Sequence, residues 1–286
     1  MRVLVLGGGQ IAKAVGAAAP AEHKVAIRTH ADLDIVDRSA LARALAEVRA
    51  DWIVNAAAYT AVDLAEDEAA RAMAVNDTAV ASIASAAARE GSRLLHLSTD
   101  FVFDGESRRA YLPDDQTNPL SVYGSSKLGG ERHVVAGGAG IVLRTSWVYA
   151  ASGKNFVLTM LRLMREKDQI SVVSDQIGAP TWAASAAAAI WGLIDAAAAP
   201  GIYHWTDLGV ASWYDFAVAI QEEALERGLL RRAAGVLPIP SAAYAARARR
   251  PGFSALDTTQ TRTMLKTPAQ HWRHNLRKML DELRAA

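Results

Sequence analysis

MRVLVLGGGQIA, residues 1–12, contains a five-residue run, Arg2 to Leu6, apolar after its first residue and followed at once by Gly7, Gly8, Gly9, Gln10, Ile11 and Ala12. The run reads as a buried strand, and the turn after it has the form G-x-G-x-x-A, leading into a segment with helical spacing. A glycine turn alone needs no ligand. Between a strand and a helix, however, Gly7 permits a tight turn and Gly9 lets backbone amides approach a pyrophosphate. The helix N-terminus then adds unpaired N–H groups and partial positive charge.

Working outward, the same alternation recurs. Lys24 to Arg28, Trp52 to Asn55, Arg93 to Leu97 and Ile141 to Thr145 are short runs rich in Val, Ile and Leu. Between them lie longer segments with apolar residues at helical spacing. Asp37 or Ser39 can cap a helix that carries Leu41, Leu45 and Val48 on one face, and Ala65 to Arg89 reads as one long or two shorter helices. Strand, helix and strand in repetition predict an α/β fold, a Rossmann-type doubly wound parallel sheet covered on both faces. Residues 1–146 are expected to form the dinucleotide-binding domain. Residues 147–286 are expected to form a smaller, partly irregular substrate domain, with some segments returning to the sheet. The prolines at 238, 240 and 251 argue against a long regular element from Leu237 to Phe253.

Composition narrows the function classes. The 286 residues are 51% hydrophobic and 21% charged, which excludes disorder and fits one large domain or two closely associated ones. The net charge of +1 gives no global field to draw the chain to nucleic acid or an anionic membrane, so any anion site must be local. Cysteine is absent, which removes disulfides, thiolate metal centres and cysteine nucleophiles. Five apolar residues ahead of the glycines are too few for a signal-peptide core. The stretch Thr181 to Ala199 is mostly alanine and reads as a core helix, not a membrane span. A cytoplasmic protein is expected.

Two positions refine the cofactor and the chemistry. The second strand ends at Arg28, where dinucleotide folds face the adenosine ribose, and a basic residue there suits the extra phosphate of NADPH over NADH. Tyr123 and Lys127 in Tyr-Gly-Ser-Ser-Lys lie one helical turn apart. A nearby ammonium is expected to lower the phenol's pKa, so that Tyr123 serves as a general acid toward a carbonyl reduced by hydride. The fourth strand ends in Ser98, Thr99 and Asp100, and ligands of doubly wound sheets sit beyond such ends. Thr99 is placed there to hydrogen-bond a substrate carbonyl.

Together these residues resemble the extended short-chain dehydrogenase/reductase family over nearly the whole chain. The resemblance runs through VNAAAYTAVDLAED (54–67), STDFVFDG (98–105), VYGSSKLGGE (122–131), RTSWVYA (144–150), DQIGAPT (175–181) and RPGFSALD (250–257). It implies reduction of the 4-keto group of dTDP-4-dehydro-L-rhamnose by NADPH or NADH, with Tyr123 as proton donor, Lys127 as its partner and cofactor contact, and Thr99 on the keto sugar. It further implies Gly9, Gln10 and Ile11 at the pyrophosphate, Asp34 and Ile35 on the adenine side, and Ala57, Ala58 and Tyr59 along the cofactor. Asp100 and Trp147 would line the sugar pocket, and Arg250 would meet the nucleotide diphosphate. Trp147 as ordinary core and Arg250 as a solvated surface charge are the plainer alternatives.

The chain departs from that pattern twice. Gly7 and Gly9 have one residue between them where the family usually has two, and Ala12 replaces the last glycine. Some members bridge a dimer through magnesium-binding glutamates, but Ala12 to Val15 and Trp182 to Ala187 contain none. A monomer or weak homodimer without a metal is therefore expected. A related dehydratase would carry an acid directly after Thr99-Asp100, where this chain has Phe101. An epimerase, or a non-catalytic nucleotide-binding subunit, would share the fold, but a pure binder has no need of an acid beside a lysine.

Overall fold

The computed structural model describes residues 1–266, 268 and 270–285. Its first half alternates β1 (Arg2–Leu6), α1 (Gln10–Ala17), β2 (Lys24–Arg28), α2 (Arg38–Val48), β3 (Trp52–Asn55), α3 (Val62–Ala65), α4 (Ala69–Met73), α5 (Ala79–Glu90), β4 (Arg93–Thr99), α6 (Val122–Ala136) and β5 (Gly140–Thr145). Then follow β6 (Val148–Tyr149), α7 (Phe156–Glu166), β7 (Gln169–Val173), β8 (Ile177–Gly178), β9 (Thr181–Trp182) and α8 (Ala183–Asp195). The chain ends with β10 (Gly201–His204), β11 (Ala211–Ser212), α9 (Trp213–Glu226), β12 (Gly235–Ile239), α10 (Thr259–Leu265) and α11 (Trp272–Ala285).

Six strands form one parallel sheet in the order β10-β5-β4-β3-β1-β2. Val3 to Leu6 are fully buried, because helices cover both faces and the strand has no solvent side on which to place polar residues. On one face α1 and α8 pack Val15, Ile190, Leu193 and Ile194 against Val3, Val5 and Val54. On the other, α2, α5 and α6 bring Leu41, Leu45, Ile83 and Val134 against Leu4, Leu6 and Ile53. Each such side chain contributes about 1.5–3 kcal/mol relative to exposure. The alanine-rich stretch thus forms a core helix, and no helix among the described residues is long and apolar enough to cross a membrane.

Asp37, not Ser39, caps α2, accepting from the amides of Ser39 and Ala40. The segment predicted as one or two helices breaks into three: α4, a π turn at Ala74–Thr78, and α5. A separate cluster joins α7, α9 and α11 around Tyr149, Phe216, Trp272 and Leu276. β12 lies parallel to β7 there despite Pro238, which a two-stranded ribbon tolerates because one side of the strand owes no ladder hydrogen bond. From β1 the sheet extends one way to β2 and the other way to β3, and the chain leaves their C-terminal ends in diverging directions. That point opens the crevice.

Candidate active site

The crevice, of about 540 Å³, lies beyond the C-terminal ends of β1, β3, β4 and β5, and Trp213 from α9 also lines it. One end of it is the glycine turn. Gly7 has φ +118°, and a Cβ there would stand 2.9 Å from the Ala56 carbonyl carbon, so only glycine fits. Gly9 is the N-cap of α1, offers no side chain to its amides, and has open space where a Cβ would be. The α1 N-terminus therefore presents uncapped N–H groups to the crevice, with Lys13 beside them. Gln10 turns its side chain across to the opposite wall, accepting from Asn155 at 2.8 Å and donating to the Lys154 carbonyl at 3.4 Å.

The other end is built by α6 and β4. Ser121 caps α6 by accepting from the Gly124 amide at 3.1 Å. A Cβ at Gly124 would meet the Phe101 carbonyl oxygen at 2.3 Å, so glycine lets the first turn of α6 lie directly on the end of β4. That contact sets Tyr123 edge-on to Phe101, with ring centroids 5.7 Å apart, and brings its phenol close to Thr99. Thr99 caps the short turn after β4, accepting from the Phe101 amide at 3.2 Å and donating to Asp100 at 3.0 Å. Asp100 is buried and also accepts from Ser254 at 2.5 Å. Burial pushes its carboxyl up to about 6, while the bonds from Ser254 and Thr99 pull it down.

The phenol departs from expectation. Burial pushes Tyr123 up to about 12, the Thr99 hydroxyl opposes that, and the Asp100 carboxylate adds to it. Lys127 does not counter the rise, because its ammonium points elsewhere. Nζ donates to the Leu97 carbonyl at 2.5 Å and lies 3.3 Å from His96 Nε2. Burial brings Lys127 down to about 8, with Glu131 acting the other way. Glu131 itself holds Arg144 of β5 through two bonds of 2.9 and 2.7 Å, which fixes α6 against the sheet.

Gly9, Gln10, Ile11, Ala58, Thr99, Asp100, Tyr123, Lys127, Trp147 and Arg250 all line the crevice; Gly7, Arg28, Asp34, Ile35, Ala57 and Tyr59 do not. Arg28 stands at the end of β2, accepting from the Gly7 amide at 2.8 Å through its carbonyl, while its guanidinium donates to the Ile27 carbonyl at 3.4 Å. Asp34 is exposed and accepts from the Val36 amide, while Ile35 is buried in the core beside Leu33. Ala57 donates to Asn55, and Tyr59 turns its hydroxyl to Glu68 at 3.0 Å. Arg250 pairs with Asp63 at 2.7 Å, and its Nε is buried without a partner. Trp147 has φ +47°, a strained value for this residue, and stacks on Trp213 with centroids 3.5 Å apart and planes within 5°.

Two contributors lie outside the sequence reading, and two more extend it. Asn76, in the π turn, is fully buried and holds the Tyr59 backbone from both sides at 2.9 Å, while donating to Ser126 of α6 at 3.0 Å. Trp213 arrives from a distant helix whose sequence announces only an amphipathic element. Ser98 and Thr145 carry buried hydroxyls without partners on the crevice wall, and they came with the strand ends already singled out.

Residues 1–285 match the family described as RmlD substrate binding domain. The chain is 39% identical over 286 residues to a dTDP-4-dehydrorhamnose reductase of Burkholderia thailandensis, with 96% of each chain covered. It is 43% identical over 257 residues to one of Streptomyces griseus, covering 88% of this chain and 83% of that one. A crystal structure of dTDP-4-dehydrorhamnose reductase from Bacillus anthracis in complex with NADP superposes with a TM-score of 0.93 at 33% identity, covering 98% of this chain and 99% of that one. This chain belongs to the RmlD substrate binding domain family.

Proposed function

We propose that the chain reduces the 4-keto group of dTDP-4-dehydro-L-rhamnose to dTDP-L-rhamnose, taking hydride from NADPH, or less readily NADH, and a proton from Tyr123. The observation that carries this reading is the meeting of three features in one crevice: the uncapped α1 N-terminus, the Thr99 hydroxyl and the Tyr123 phenol. The open space at Gly9 and the unpartnered hydroxyls of Ser98 and Thr145 fit a dinucleotide running from the glycine turn to the end of β4. The sheet unit would hold this cofactor, and the α7–α9–α11 cluster with the 241–257 segment would hold the sugar nucleotide.

Bound there, a reduced nicotinamide supplies hydride to the carbonyl carbon. Thr99 donates to the carbonyl oxygen and orients it. Tyr123 then gives its proton to the oxygen as negative charge develops, and a phenol held near 12 stands fully protonated at neutral pH before each turnover. Lys127, whose ammonium does not reach the phenol, stores the proton that recharges it by way of water in the crevice. Trp147, fixed by its stack on Trp213, forms a flat wall for the deoxy-sugar. Arg250, aimed by Asp63, presents guanidinium N–H groups to the diphosphate. Arg28 meets the 2′-phosphate of NADPH. In this reading the protein works in the cytoplasm as a monomer or weak homodimer, with no magnesium bridge.

The test is NADPH oxidation with the keto sugar nucleotide. Tyr123→Phe is expected to lose about 10²–10⁴ in turnover while binding NADPH normally, the usual range for a removed general acid. Turnover within about tenfold of wild type would remove Tyr123 from its role.

A further inference from the structure

Lys127 ends in a buried chain of hydrogen bonds that the reaction above does not use. The Ala57 amide can only donate, and it donates to Asn55 Oδ1 at 3.2 Å. Asn55 therefore turns its Nδ2 to His96 Nδ1, 3.1 Å away. His96 is completely buried, and burial together with Lys127 holds its ring neutral. A neutral imidazole has one N–H, and Nδ1 must accept from Asn55, so the proton sits on Nε2. Nε2 faces Lys127 Nζ at 3.3 Å. That contact is a hydrogen bond only when the lysine offers a lone pair, and two donors oppose each other when it is an ammonium.

We propose that His96, with its tautomer fixed by Asn55, is a positioning residue that favours the neutral amine of Lys127 and so makes the stored proton easy to release toward Tyr123. Nζ does not reach the phenol, so the transfer balances through a bridging water: an ammonium N–H bond breaks, the water takes that proton as it gives one of its own to the phenolate, and the freed lone pair accepts His96 Nε2–H. Asn55 begins this chain at the backbone of the loop after β3, beside Ala56 and Ala58, which line the crevice. The inference rests on the proposed reductase reading and deepens it.

Other groups also bear on the lysine. On α6 these are Tyr123 and Glu131. Asp100 follows β4, Arg144 on β5 is bound to Glu131, Asp77 on the π turn is bound to His133, and Glu66 is bound to the Val122 amide. Substituting His96 leaves all of them in place.

The experiment is the pH profile of kcat with NADPH and the dTDP-linked keto sugar for wild type, His96→Phe and Asn55→Ala, with NADPH binding and melting temperature measured alongside. Phe removes the Nε2 donor, and Ala frees the ring to take the other tautomer and accept from the ammonium. Both variants are expected to move the alkaline limb up by about one unit, a tenfold change in the lysine's proton affinity. In a Lys127→Arg background, His96→Phe is expected to shift no limb. A limb unchanged in both folded, cofactor-binding variants overturns the proposal, as does an equal loss of turnover with and without Lys127. The two failures can be told apart. An unmoved limb in variants that still turn over sinks only the role of His96, whereas wild-type protein that oxidises no NADPH with the keto sugar sinks the reductase reading itself.

Discussion

Raising the pH probes the proton store directly. Lys127, only 2% exposed, is held down to about 8 by burial, well below the 10.5 of a free lysine. At pH 7 such a group is about nine-tenths charged, and at pH 9 about one-eleventh, so turnover should fall roughly tenfold between them. A lysine at its ordinary value would lose only about 3% of its charge over that range. The assay is steady-state NADPH oxidation at saturating keto sugar nucleotide from pH 6 to 10. Stability moves the opposite way. Because the folded-state value is lowered, the unfolded chain binds more protons between about 8 and 10.5, and this group's contribution to stability rises with pH through that window. A falling rate with an unchanged or rising melting temperature therefore identifies titration and not unfolding. Lys127→Arg, which stays charged, should give a slower but level profile. Wild-type turnover that stays level to pH 9.5, or a Lys127→Arg variant with the same limb, would refute the argument.

Two further outcomes are expected. Arg28→Ala should raise KM for NADPH about tenfold, the loss of one charge-assisted bond of ~1.5 kcal/mol, and leave KM for NADH within about twofold; equal effects on both cofactors would separate Arg28 from the 2′-phosphate. Asp207, a buried carboxyl, is pushed up to about 6 by that burial, and one of its oxygens has no partner. Its raised value means that its contribution is most favourable below pH 3.8 and is lost as pH climbs through 6. Asp207→Asn should therefore gain about 2 kcal/mol relative to wild type between pH 4 and pH 8, read from paired denaturation curves. A difference that does not vary with pH would mean the carboxyl ionises normally.

The sheet was legible because its signal is local. Arg2 to Leu6, Lys24 to Arg28 and Trp52 to Asn55 are strands with the predicted bounds, and Arg93–Thr99 runs only two residues further. Past their first residues Arg2–Leu6 and Arg93–Thr99 are buried, as is all of Trp52–Asn55, and that requires a continuous apolar run visible without any partner; Lys24–Arg28, at the sheet edge, is only half-buried and was marked by its Val and Ile. Tyr123 and Lys127 were legible for the same reason, since one helical turn fixes their common face. What was not legible depends on contacts distant in sequence. The π turn at Ala74–Thr78 adds a residue per turn without marking its composition, and Asn76 acquires its role only through Tyr59 and Ser126, 17 and 50 positions away. Trp147 reads as core or pocket until Trp213 is placed against it.

The direction of Lys127 decides how the phenol works. An ammonium aimed at Tyr123 would favour phenolate at rest, which suits an enzyme that begins by removing a proton from an alcohol. Here the ammonium is turned toward the Leu97 carbonyl and His96, and burial holds the phenol near 12. A crevice arranged this way starts each cycle with the acid loaded, and it must then deliver that proton to a stronger base. The alkoxide formed by hydride addition is such a base, so the transfer is downhill once hydride has moved. On the proposed mechanism the phenolate must then be reprotonated, and a lysine at about 8 is a better proton source for that step than one at 10.5. On that mechanism the two shifts suit reduction in sequence: the raised phenol would protonate the product, and the lowered lysine would recharge the phenol.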